Sequence, residues 1–175
     1  MRTSLRFLLP AMLLACAAAK TTAQDPVDAR GARAALAAVP AKFQSGIVKL
    51  SADNGNPNPP EWYIVAKTQD GVVYSLTISA GQVVSEKPSL NLRALVTDPS
   101  PIDVSRVAVG SEGAWQAAEK YSLSKGKTLG SVSYALQQKG RDAAPIWSVW
   151  CYGPGGGYIG LLEILATTGA VVSSE

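Results

Sequence analysis

Histidine is absent from the 175 residues. The commonest general base and transition-metal ligand is therefore missing, and with it any Ser-His-Asp or Cys-His site. The 13 acidic side chains stand singly along the chain, so no local set of carboxylates is ready to hold a metal. Asp53-Asn54-Gly55-Asn56 has the opening of a calcium loop but lacks the later bidentate Glu, and the same residue types make tight turns. Turn chemistry is the better reading. Gly155-Gly156-Gly157 would cradle a phosphate only between a strand and a helix N-terminus, usually with a Lys; here it separates two strand-like runs and reads as a hairpin tip. Cys151 has neither a base nor a second cysteine near it in the chain, so a buried structural role is expected. The expectation is a non-enzymatic protein with no cofactor, no metal and no catalytic residue.

Residues 1–23 have the pattern of a secretory signal peptide. Arg2 and Arg6 form the positive region, Phe7 to Ala19 the apolar one, and Thr21-Thr22-Ala23 a cleavage site before Gln24. The apolar run is too short to span a bilayer. A second cut is available at Leu13-Leu14-Ala15-Cys16, which has the form of a bacterial lipobox and would make Cys16 a lipidated N-terminus. Periplasmic or secreted export is the expectation, with a membrane-anchored lipoprotein as its alternative. Losing Arg2, Arg6 and Lys20 reduces 16 basic residues to 13, against 13 acidic. A balanced chain without a basic block excludes nucleic acid and anionic membrane surfaces as natural partners. Cys151 would be the one cysteine beyond the leader, so stability has to come from a packed core.

The elements follow in order. Ala32, Ala35, Leu36 and Val39 lie at helical spacing within Pro26 to Val39, and Pro40 closes that segment. Strands are expected at Ile47 to Ser51, Glu61 to Thr68 and Val72 to Ser79, with a proline-rich turn at 53–60 and a hairpin at Asp70-Gly71. A connector at 88–102 holds a short extended piece at 92–96. A short strand at Val107 to Val109 then leads to Ser111, an N-cap for a helix whose face is Ala114, Ala117, Ala118 and Tyr121. Strands at Ser131 to Gln138, Ile146 to Tyr152 and Tyr158 to Ala166 complete the chain.

Two stretches of this order fall into register. Pro145-Ile146-Trp147-Ser148-Val149-Trp150-Cys151-Tyr152 answers Pro60-Glu61-Trp62-Tyr63-Ile64-Val65-Ala66-Lys67, and Ala166-Thr167-Thr168-Gly169-Ala170-Val171-Val172 answers Ile78-Ser79-Ala80-Gly81-Gln82-Val83-Val84. A helix, then an antiparallel meander ending in Ala-x-Thr-Gly-x-Val-Val, resembles the PepSY domain of bacterial secreted proteins. Two copies in tandem further resemble the β-lactamase inhibitory protein fold. The resemblance implies an α+β protein of two repeats, 24–90 and 91–175. Each would be a helix plus a three-to-four-stranded meander, joined as one curved sheet with helices on one side. It also implies a protein-binding module, a modulator or inhibitor of a peptidase; the rival is a structural or assembly component of the cell envelope.

Alternation along the strands sorts the faces. Trp62, Ile64, Ala66 and Leu76, with their counterparts Trp147, Val149, Cys151 and Ile164, are expected to face the helices. Tyr63, Val65, Trp150 and Tyr152 are expected on the opposite side, with Tyr158 at its rim, and form the expected surface for a protein or peptide partner.

Overall fold

The computed structural model describes residues 28–89 and 100–175. The expected leader, both cleavage sites, Cys16 and the extended piece at 92–96 lie outside the described residues. Helix α1 is Ala32–Ala37 and α2 is Ala41–Gln44. α1 falls within the helix expected between Pro26 and Val39, and α2 forms beyond Pro40, where none is expected. Pro40 supplies no N–H to continue α1, but with φ −57° it is suited to start α2. The strands are β1 (Ile47–Gly55), β2 (Glu61–Lys67), β3 (Val73–Ser79), β4 (Gln82–Pro88), β5 (Ser131–Gln137), β6 (Ile146–Tyr152), β7 (Tyr158–Leu165) and β8 (Val171–Ser174). Among the described residues between the two sets of strands lie a 3-10 turn at Val104–Arg106 and helix α3 (Ser111–Ser124). β1 runs past Ser51 to Gly55, which moves the turn to the prolines that follow, while Val107 to Val109 is loop rather than strand. Gly81 and Gly169 both have positive φ, and these turns let the chain fold back so that β4 and β8 become edge strands.

All eight strands belong to one antiparallel sheet in the order β4-β3-β2-β1-β5-β6-β7-β8. This corrects the expected α+β fold of two tandem helix-plus-meander units. The molecule is chiefly one sheet carrying a few short helices. The two sets of strands join by the pairing of β1 with β5, through Leu50↔Leu136, Ser51↔Ala135 and Ala52↔Tyr134; what fails is a helix layer for each unit. A single core cluster runs from Leu36 and Phe43 to Leu162 and Ile164. The first half offers helices of only six and four residues, too short to form a layer of their own.

At the centre of the core Trp62, Tyr134 and Trp147 meet, with ring centroids 5.6 Å (Trp62–Tyr134), 5.9 Å (Tyr134–Trp147) and 6.2 Å (Trp62–Trp147) apart. Each indole finds a carbonyl for its buried N–H, as buried Trp requires. Trp62 Nε1 donates to Arg30 O at 2.7 Å and Trp147 Nε1 to Val109 O at 2.9 Å, in each case two residues before a helix begins. Ser111 is the first residue of α3 rather than its cap, which is Gly110. Its hydroxyl is used elsewhere: it accepts from Ala32 N–H and donates to Asn58 Oδ1 at 2.7 Å, joining the starts of α1 and α3.

Candidate functional site

The strand register places a second set of side chains on the side of the sheet away from the helices. In the first half these are Glu61, Tyr63, Val65 and Lys67 on β2, opposite Ser79, Thr77, Ser75 and Val73 on β3. In the second half they are Ile146, Ser148, Trp150 and Tyr152 on β6, opposite Leu165, Glu163, Leu161 and Tyr158 on β7. The two sides of each strand differ sharply in burial. Trp62, Ile64, Ala66, Leu76, Trp147, Val149, Cys151 and Ile164 are all buried against the helical side, whereas Trp150 and Tyr152 stay half-buried and Tyr63 is 43% exposed.

Of the five expected contact residues, the structure gathers three. Trp150 lies across from Leu161, and the Tyr152 and Tyr158 rings sit 5.9 Å apart at the glycine-loop end of the same hairpin, with Tyr158 56% exposed. That loop is held by Gly153 N–H to Gly157 O and Gly156 N–H to Gly153 O. Tyr63 stands apart. Strands β1 and β5 intervene, which is three strand spacings or roughly 14 Å. Val65 presents no surface of its own, being buried with Val48 and Val73 in a small separate cluster. Leu161 completes this apolar patch, while Ser148 and Glu163 separate it from Ile146 and Leu165. Residue-by-residue matching of β2 with β6 draws attention to aromatic rings, but the spacing of Leu161 and Glu163 in β7 already marks an aliphatic member of the patch and its polar border.

Electrostatics separate the two halves further. Tyr63 hydroxyl donates to Glu61 Oε2 at 3.1 Å, and this bond, with the charge on Glu61, holds the Tyr63 phenol above its ordinary pKa. Asp53 on β1 adds to the same negative field. Around Trp150 the neighbours across the strands are Ser133 and Leu161, neither of them charged. Burial raises the Tyr158 phenol as well, so both tyrosines remain neutral donors at physiological pH.

Cys151 is fully buried, and desolvation pushes its thiol up to about 11. A neutral, inaccessible thiol is a poor nucleophile. The nearby Ser122 hydroxyl, which tempers this rise, is itself buried and makes no hydrogen bond of good geometry among the described residues. No three His, Cys, Asp or Glu side chains come together among the described residues, and no described helix is long and apolar enough to cross a membrane. Asp53 and Asn54 lie in β1 at the irregularity between Ala52 and Gly55, where Asn54 takes a positive φ of 57°. Compared with known proteins, the chain matches no family model, no curated protein and no solved structure.

Proposed function

We propose that this is an exported, non-enzymatic binding module that engages a protein or peptide through the helix-free side of its second half. One observation carries this reading. Trp150, Leu161, Tyr152 and Tyr158 form an apolar patch at the glycine-loop end of the β6–β7 hairpin, bordered by Ser148 and Glu163, beside a first half whose corresponding side is largely hydroxyl and charge. Contiguous apolar surface rimmed by polar residues marks contact sites, and Trp and Tyr are favoured where contacts are strongest. The signal-peptide pattern at residues 1–23 supports export, and the PepSY-like residues support modulation or inhibition of a peptidase.

The test begins with the purified mature protein as bait in envelope extract, followed by titration of the purified captured protein. Trp150→Ala and Tyr152→Ala should each weaken binding about tenfold or more, since a desolvated aromatic anchor contributes about 2 kcal/mol and 1.4 kcal/mol is a decade. If the captured protein is a peptidase, the wild-type chain should lower its turnover and Trp150→Ala should not. Binding that survives both substitutions would remove this surface from consideration.

A further inference from the structure

The helical side of the sheet is finished differently at its two edges. Glu86 of β4 lies opposite Leu76, and its carboxylate meets Lys42 Nζ of α2 at 2.6 Å, so a helix is pinned to the edge strand. Ser174 of β8 stands in the matching place opposite Leu162, where no ion pair among the described residues ties α3 to β8 and the tie is instead the Tyr121 hydroxyl donating to Glu175 O just past the strand. A groove of about 420 Å³ remains between them, lined by Ala117, Lys120 and Tyr121 of α3 and by Leu162, Val171 and Ser174 of the sheet. That volume is within the range of about 300–1,000 Å³ typical of ligand clefts.

Among the described residues, the edge beside the groove has unused backbone groups. Glu175 N–H donates to Leu161 O, and Ser173 is opposite Glu163, so alternation in an antiparallel ladder turns the N–H and C=O of Ser174 outward. β4 blunts its edge with Glu86, Lys87 and Pro88, the usual devices against strand addition. β8 reads Val171-Val172-Ser173-Ser174, without charge or proline, and Val171 is 53% and Val172 48% exposed. Charge narrows the occupant. Among the described residues, Lys120 is the only charged one lining the groove, and Lys125 lies over the Tyr121 ring, 5.3 Å from its centroid. Neither lysine is in an ion pair among the described residues.

We infer that β8 and the α3 groove form a peptide site, separate from the helix-free patch, that takes an extended segment as a ninth strand. The occupant's backbone bonds to the outward groups of β8, alternate aliphatic side chains enter the groove, and a carboxylate meets Lys120. Main-chain bonding combined with pockets for alternate side chains is the physics of strand addition.

The experiment pans a displayed library of random linear peptides against the full chain and measures the enriched peptides by fluorescence anisotropy. Aliphatic residues at alternate positions and at least one acidic residue should be enriched. Ser174→Pro, which deletes an outward N–H on an edge that tolerates proline, and Lys120→Glu should each weaken the enriched peptide about tenfold or more, with an unchanged thermal midpoint. Trp150→Ala should leave it unchanged, which separates this site from the helix-free patch. No enrichment, binding indifferent to both edge variants, or binding lost with Trp150→Ala would overturn the inference. So would a concentration-dependent dimer abolished by Ser174→Pro, because a second copy would then be the strand that fills the edge.

Discussion

The halves β1–β4 and β5–β8 use the same core solution and opposite surface solutions. Trp62 and Trp147 occupy equivalent strands, bury equally, and donate to carbonyls two residues ahead of α1 and α3. On the other side of those strands, Tyr63 is bonded to Glu61 and surrounded by Thr77 and Ser51, while Trp150 looks across to Leu161. Burial leaves little freedom: a large ring with one polar atom must find both a cavity and an acceptor. A solvent-facing position has no such constraint. The difference is the observation on which the proposed contact surface of the second half rests, since Trp150 and Tyr152 stay half-buried there on the helix-free side.

The strongest way to break this comparison is through the tryptophans. Trp62→Ala and Trp147→Ala should each cost about 3–5 kcal/mol, from lost burial, a cavity and an orphaned carbonyl. Because their centroids are 6.2 Å apart and share Tyr134 as a neighbour, the double variant should fall short of or exceed the sum by about 0.5–3 kcal/mol. Denaturant midpoints at unchanged slope measure both. Additive losses would mean that the halves have separate cores.

The next effect concerns binding. Trp150→Ala should reduce capture of the partner about tenfold, roughly 1.4 kcal/mol, while Tyr63→Ala changes it by less than a factor of about three. Equal effects would extend the surface across β1 and β5 and dissolve the distinction between the halves. Smaller still is the Lys42–Glu86 pair. With side chains 58% and 33% exposed, it should contribute under about 1 kcal/mol in a double-mutant cycle, and less at high salt.

The smallest difference is a pH effect. The Arg30 backbone N–H and the Asn58 side chain hold the Asp28 carboxyl below its ordinary value of 3.8. A depressed carboxylate stabilises the fold above its unfolded pKa and loses that contribution as pH falls through the folded value. Wild type and Asp28→Asn should therefore differ in denaturant midpoint at neutral pH and converge below pH 3.8. A gap that persists in acid would assign the effect to packing.

Much of this was legible in order along the chain. Alternation in Trp62-Tyr63-Ile64 and Trp147-Ser148-Val149 assigns core and surface without a structure, because successive strand residues must face opposite ways. The helix beginning at Ser111 is similarly local, its buried residues Ala114, Ala118 and Tyr121 recurring at helical spacing. Pro40 was legible as the end of a helix. That a second short helix would start from it was not, since α2 depends on Phe43 finding a place in the core.

What only the tertiary structure decided are relations between residues distant in the chain. The pairing of β1 with β5 joins residues about Leu50 to residues about Leu136, and no local pattern specifies which strands become neighbours. That pairing turns two sets of strands into one sheet, puts Tyr63 three strands from Trp150, and makes Trp62 and Trp147 touch through Tyr134. Val65 repeats the lesson. Its place on the helix-free side follows from alternation, but its burial follows from Val48 and Val73 arriving beside it. Side-chain periodicity is a property of the local backbone and can be read from sequence; burial is a property of what the rest of the chain brings near.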